Sequence, residues 1–154
     1  QGQMASDFDR RLQEALDVLR AKPVAFRLPP DLPQVLDFAF AFAGKKVAVE
    51  IEMTNREKIL RDFLKCHMYL DAGVDIGVVG LPVHYPHSHG VWNLYQFGTQ
   101  RYDECLRFGF GTPANLERVL LLGFQQFDGT TDEPLSVSTR QRMRKEAAAH
   151  MRQD

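Results

Sequence analysis

Large and small side chains alternate most regularly over residues 36–53. Phe38, Phe40 and Phe42 alternate with Asp37, Ala39, Ala41 and Ala43, and Val47, Val49, Ile51 and Met53 alternate with Ala48, Glu50 and Glu52. A period of two sends each set to one face of a strand. Between the two runs, Gly44-Lys45 suits a two-residue turn with the glycine at positive φ. The pattern predicts a β-hairpin in which Ala43 pairs with Lys46, so that Phe42, Phe40 and Phe38 face Val47, Val49 and Ile51.

Elsewhere the period is helical or broken. Ser6, with Asp9 at the third position, opens a helix whose stripe is Phe8, Leu12, Ala15, Leu16 and Leu19, ending before Pro23. Residues 24–28 read as extended, and Pro29, Pro30 and Pro33 hold the chain out of regular structure. Thr54 and Glu57 form a capping box for a helix carrying Ile59, Leu60, Phe63, Leu64 and Leu70, closed by Asp71-Ala72-Gly73. The apolar run from Val74 to Leu81 predicts a buried strand, parallel to its predecessor through a right-handed crossover.

Residues 84–100 have no sustained period and read as a long functional loop or irregular edge, with a short helix over 100–108. Thr112-Pro113 starts a helix that turns Leu116, Val119 and Leu120 to the core. Asp128-Gly129-Thr130-Thr131-Asp132 is a polar turn, and Ser138 or Thr139 caps a last basic helix through His150. The expectation is a single three-layer α/β/α domain over residues 4–154 with a central mixed sheet, Gln1-Gly2-Gln3 being a remnant before a natural start at Met4.

Composition narrows the function classes. With 44% of its 154 residues hydrophobic, the chain can bury a core without a metal or disulfide staple. Nineteen basic against twenty acidic side chains give a net charge of −1, so nothing in the total announces a nucleic acid, although a local basic face can still bind phosphates. Cys66 and Cys105 are too few for a disulfide scaffold, which favours a reducing, cytoplasmic setting. No run approaches the ~20 apolar residues of a membrane span, and no basic start leads into an apolar run, so neither a membrane helix nor a secretory signal is expected.

The predicted hairpin gathers Asp37, Glu50 and Glu52 on the face opposite the phenylalanines, with alanines leaving room around them. Like charges at cross-strand distance repel, and each carboxylate loses water near a core. A divalent cation relieves both costs. Magnesium, with manganese as a substitute, suits two or three carboxylates beside an open cleft, because it takes oxygen ligands and keeps waters. The competing reading is three exposed acids on the wet face of a sheet.

Asp37-Phe38, followed by Val47-Ala48-Val49-Glu50-Ile51-Glu52-Met53-Thr54-Asn55 and Asp75-Ile76-Gly77-Val78-Val79, resembles the catalytic stretch of PD-(D/E)XK nucleases, nearest the BamHI/BglII-type restriction endonucleases. The resemblance covers about residues 35–81. It implies a restriction-endonuclease-like fold, a magnesium-dependent endonuclease acting on duplex DNA, and a twofold homodimer. Asp37 would be the first metal ligand and Glu50 the second. Glu52 would stand where most members have lysine, as a carboxylate that completes the metal site or assists the water. Leu36 replaces the usual proline. An acid from an earlier helix often joins such a site; Glu14 is the candidate, Asp17 the second choice, and both also read as ordinary solvated residues.

Nucleic-acid contacts are expected from Lys45 and Lys46 at the hairpin tip, from Asn55, and from Lys58, Arg61 and Lys65 on the crossover helix. His87 in the aromatic loop, and Arg140 and Arg144 on the basic last helix, are further candidates. Each basic stripe reads equally as a solubilising face. His84, His87 and His89 match neither a helical zinc pair nor a closed zinc knuckle. No glycine-rich phosphate cradle is present, no organic cofactor is implied, and Cys66 reads as a core thiol. Two alternatives to a nuclease stay open: a catalytically inactive nucleic-acid-binding protein on the same fold, and a protein-interaction domain.

Overall fold

The structure, a computed structural model, describes residues 11, 14–15, 17–19, 22–23, 36–87, 90–127 and 133–150; for 22, 23, 143, 144 and 146–150 it describes the backbone alone. The elements are β1 (Lys22–Pro23), β2 (Phe38–Phe42), β3 (Lys45–Ile51), a 3₁₀ turn (Arg56–Lys58), α1 (Ile59–Asp71), β4 (Ile76–Pro82), β5 (Tyr85–His87), β6 (Gly90–Trp92), α2 (Leu94–Phe108), α3 (Pro113–Leu116), β7 (Val119–Phe124) and α4 (Val137–His150). They form a small α/β domain whose mixed sheet has the order β1-β2-β3-β4-β7, beside a separate β5-β6 hairpin. Strands β1, β2 and β3 are antiparallel; β3-β4 and β4-β7 are parallel. Among the described residues no helix is long and apolar enough to cross a membrane.

The hairpin turns one residue earlier than its sequence predicts. Ala43 and Gly44 occupy the turn with φ of 49° and 77°, both left-handed as in a type I′ turn. Phe38 therefore faces Val49, and Phe40 faces Val47. The slip is two residues in pairing, an even number, so every side chain keeps its predicted face. The shift moves Lys45 into β3. There its Nζ lies 3.3 Å from Asp75 Oδ1, while the Lys46 N–H donates to Asp75 Oδ2 at 2.9 Å. That backbone bond is the main cause holding the Asp75 carboxyl below its ordinary value.

Helices α1 and α2 cover the sheet face made by Ala48, Glu50, Val79, Leu81, Val119 and Leu121. Small residues let α1 sit close: a Cβ on Gly77 would stand 3.0 Å from Cys66 Cβ. Ile59, Phe63, Cys66, Tyr69 and Leu70 fill this core, but Leu60 and Leu64, predicted to join it, are exposed because they lie off the inward arc of the helix. The helix start also differs. Asn55, rather than Thr54, is the cap, its Oδ1 accepting from the Glu57 N–H at 2.8 Å.

Further corrections follow the same logic. The stretch expected to be a loop is the β5-β6 hairpin followed by α2, which starts at Leu94 behind the Asn93 cap rather than near residue 100. Val119 and Leu120 are not helical: α3 is one turn, and period two over Val119–Phe124 buries Val119 and leaves Leu120 outward. The last helix is capped by Ser136, whose Oγ accepts from the Thr139 N–H at 3.0 Å, ahead of the expected Ser138 or Thr139. In the first helical stretch Ala15 and Leu19 are exposed rather than core-facing. Phe8, Leu12, Leu16, the segment 24–28, the three prolines and the 128–132 turn lie outside the described residues.

Candidate active site

The register of the hairpin, continued by one residue, sets Asp37 opposite Glu50 rather than Glu52. Asp37 is exposed at the start of β2, and its Oδ2 accepts the Ile51 N–H at 2.8 Å. Glu50 points the other way in environment: it is 2% exposed, beneath α1. Its Oε1 accepts the Tyr69 hydroxyl at 2.6 Å, and its Oε2 accepts from the Lys65 ammonium. Burial pushes the Glu50 carboxyl up to about 7; the Lys65 and Tyr69 hydrogen bonds oppose that rise and the nearby Asp37 carboxylate adds to it.

Glu52 goes to another task. The backbone N–H of Thr54 (2.6 Å), its hydroxyl (2.7 Å) and the N–H of Asn55 (3.0 Å) all donate to Glu52 Oε1, which closes the bend between β3 and the 3₁₀ turn. The sequence pattern unites Asp37, Glu50 and Glu52; the fold sets the first two at facing positions across β2 and β3 and diverts one oxygen of the third. Asp62 is the unexpected neighbour. It is buried, and desolvation with the charge of Glu52 raises it to about 6, while Arg61 at 3.5 Å opposes the shift.

Sequence reading missed Lys65, Tyr69 and Asp62 as parts of this centre, although a signal was present. Asp62, Lys65 and Tyr69 recur at the three- and four-residue spacing of one helix face, adjacent to the apolar row Ile59, Phe63, Cys66 and Leu70. Lys65 was expected on a basic stripe that meets phosphates; only 7% exposed and held on Glu50, it is not on that surface.

The remaining candidates are dispersed. Glu14 and Asp17 are exposed in helical turns before β1. Lys46 and Arg61 are exposed, Lys58 Nζ lies 3.5 Å from Thr54 Oγ1, and Asn55 is engaged as a cap. His87 stacks on Trp92 at 4.0 Å and 15°. Arg140 docks on β5, donating to the Pro86 carbonyl and the Tyr85 hydroxyl. The Arg144 side chain and His89 lie outside the described residues.

Among the described residues no group of three or more His, Cys, Asp or Glu is arranged to hold a metal. Of the acids the sequence pattern unites, Asp37 and Glu50 face each other by register, and both Glu50 oxygens accept hydrogen bonds, from Lys65 and Tyr69.

The raised carboxyls give the fold a definite pH response. A group whose folded pKa exceeds its unfolded one binds more protons folded, so stability falls as pH rises between the two values. Glu50 sets that window from about 4.5 to about 7 and Asp62 from about 3.8 to about 6. Urea midpoints are expected to fall across these windows through both groups, and the Glu50 part should vanish in Glu50→Gln.

Burial pushes the Cys66 and Cys105 thiols up, so neither is a ready nucleophile. No protein-family model, curated protein or known structure matches the chain.

Proposed function

We propose that the protein is a metal-dependent phosphodiester hydrolase of restriction-endonuclease-like fold, cutting DNA from the centre formed by Asp37, Glu50 and Lys65. The observation that carries this reading is the pairing of two carboxylates across β2 and β3, one exposed and one buried against a lysine. A magnesium or manganese ion on Asp37 and Glu50 would supply a water of lowered pKa and offset charge on the phosphoryl group.

The chain's own residues define the rest. The Ile51 N–H fixes the Asp37 carboxylate beside β3, and Tyr69 fixes Glu50 from α1. Lys65 brings from α1 the ammonium that the resemblance expects two residues beyond Glu50, where Glu52 stands. A carboxyl that titrates near neutrality can hold or release a proton under working conditions. A twofold pair of chains would present two such centres, as a double-strand break requires.

Nucleic-acid or protein binding without cleavage is the second reading, favoured by one observation: both Glu50 oxygens and Glu52 Oε1 already accept hydrogen bonds from the chain itself. Incubation with mixed duplex and single-stranded DNA in magnesium or manganese separates the two. Cleavage that stops on addition of a chelator is expected; intact DNA under every metal condition would leave the binding reading in its place.

A further inference from the structure

Between the bend after β3, β5 and α4 lies a cleft of about 230 Å³ whose walls include Thr54, Tyr85, His87, Arg140 and Gln141. We infer that it is a subsite for a phosphate group of a nucleic-acid strand. The inference rests on the phosphodiester reading above and extends it to a second contact.

Three observations point to a phosphate. No carboxylate is among the lining residues, and the charged one is Arg140. Its guanidinium is held in place, with its carbon 4.1 Å from the centre of the Tyr85 ring and two donors on Pro86 O and Tyr85 Oη. A guanidinium has five N–H donors in a rigid fork, so others remain to meet an anion's oxygens. Tyr85 is itself 3% exposed, which makes the platform rigid. Gln141, which is exposed, adds a neutral donor.

Thr54 lines the cleft and follows β3, so the cleft lies past the end of the strand that carries Glu50.

Trp92, the single tryptophan, reports on the cleft because its ring stacks on His87. Metal-free protein is titrated with a short single strand of thymidylate, following Trp92 fluorescence and the anisotropy of a labelled strand; inorganic phosphate is titrated separately. A saturable change with the strand is expected, with phosphate far weaker. Gln141 is exposed, so Gln141→Glu changes charge without disturbing packing. It should weaken strand binding about tenfold, the scale of one added like charge at a partly solvated contact, and Gln141→Lys should tighten it.

Unchanged affinity in both variants, or no fluorescence response, would overturn the subsite. Phosphate binding as tight as the strand would also overturn it, marking a site for the free ion. With metal absent the result does not depend on whether the acid centre cuts, so failure of the cleft and failure of the nuclease reading are seen separately.

Discussion

Glu50→Ala is expected to remove about 3–5 kcal/mol of folding stability, the usual consequence of deleting one partner of a buried ion pair. Lys65 is 7% exposed and its ammonium meets Glu50; the truncation leaves that charge beneath α1 with no counter-ion and takes away the acceptor of the Tyr69 hydroxyl. The double variant Glu50→Ala/Lys65→Met should regain most of the loss, because no charge then stays buried and the methionine refills part of the volume. Denaturant unfolding of the four members of this cycle measures the coupling. Additive losses would mean that the two residues do not act as a pair.

Asp37→Asn is the second large effect, and it falls on activity. An asparagine retains an oxygen to accept the Ile51 N–H, so the change in stability should stay within about 1 kcal/mol. Removing the negative charge also relieves Glu50, whose carboxyl Asp37 helps to push up, so ionisation of Glu50 becomes easier in the variant. Cleavage should nonetheless fall by more than the ~10–100-fold that loss of a supporting partner to a metal ligand causes. Asp37→Asn is the sharper probe of chemistry because Glu50→Ala confounds lost activity with lost fold. An Asp37→Asn protein that cleaves like the parent would remove Asp37 from the centre.

The parts of the fold legible in the sequence are those governed by local period. Alternation over β2 and β3 fixes which residues share a face whatever the exact pairing, so the approach of Asp37 and Glu50 survived a turn placed one residue early. The turn itself was not legible, because Ala43 takes a left-handed φ that alanine disfavours and that is fixed by the pairing around it. β7 was hidden because Val119, Leu120, Leu121 and Leu122 are apolar on both faces, and a continuous apolar run carries no period.

The centre was half legible for a similar reason. Acid residues on a strand announce themselves, whereas Lys65 reads as part of a surface stripe, and Tyr69 joins it on Glu50 only once α1 packs on the sheet. Glu52 misled because its spacing matches the motif while the bend after Ile51 turns its carboxylate to the N–H groups of Thr54 and Asn55.

Calorimetric titration of the protein with manganese addresses most directly whether Asp37 and Glu50 share a divalent cation. The parent should bind manganese and lose that binding in Asp37→Asn while remaining folded. A parent that takes up no manganese, or an Asp37→Asn variant that binds it with the parent's affinity, would contradict the assignment.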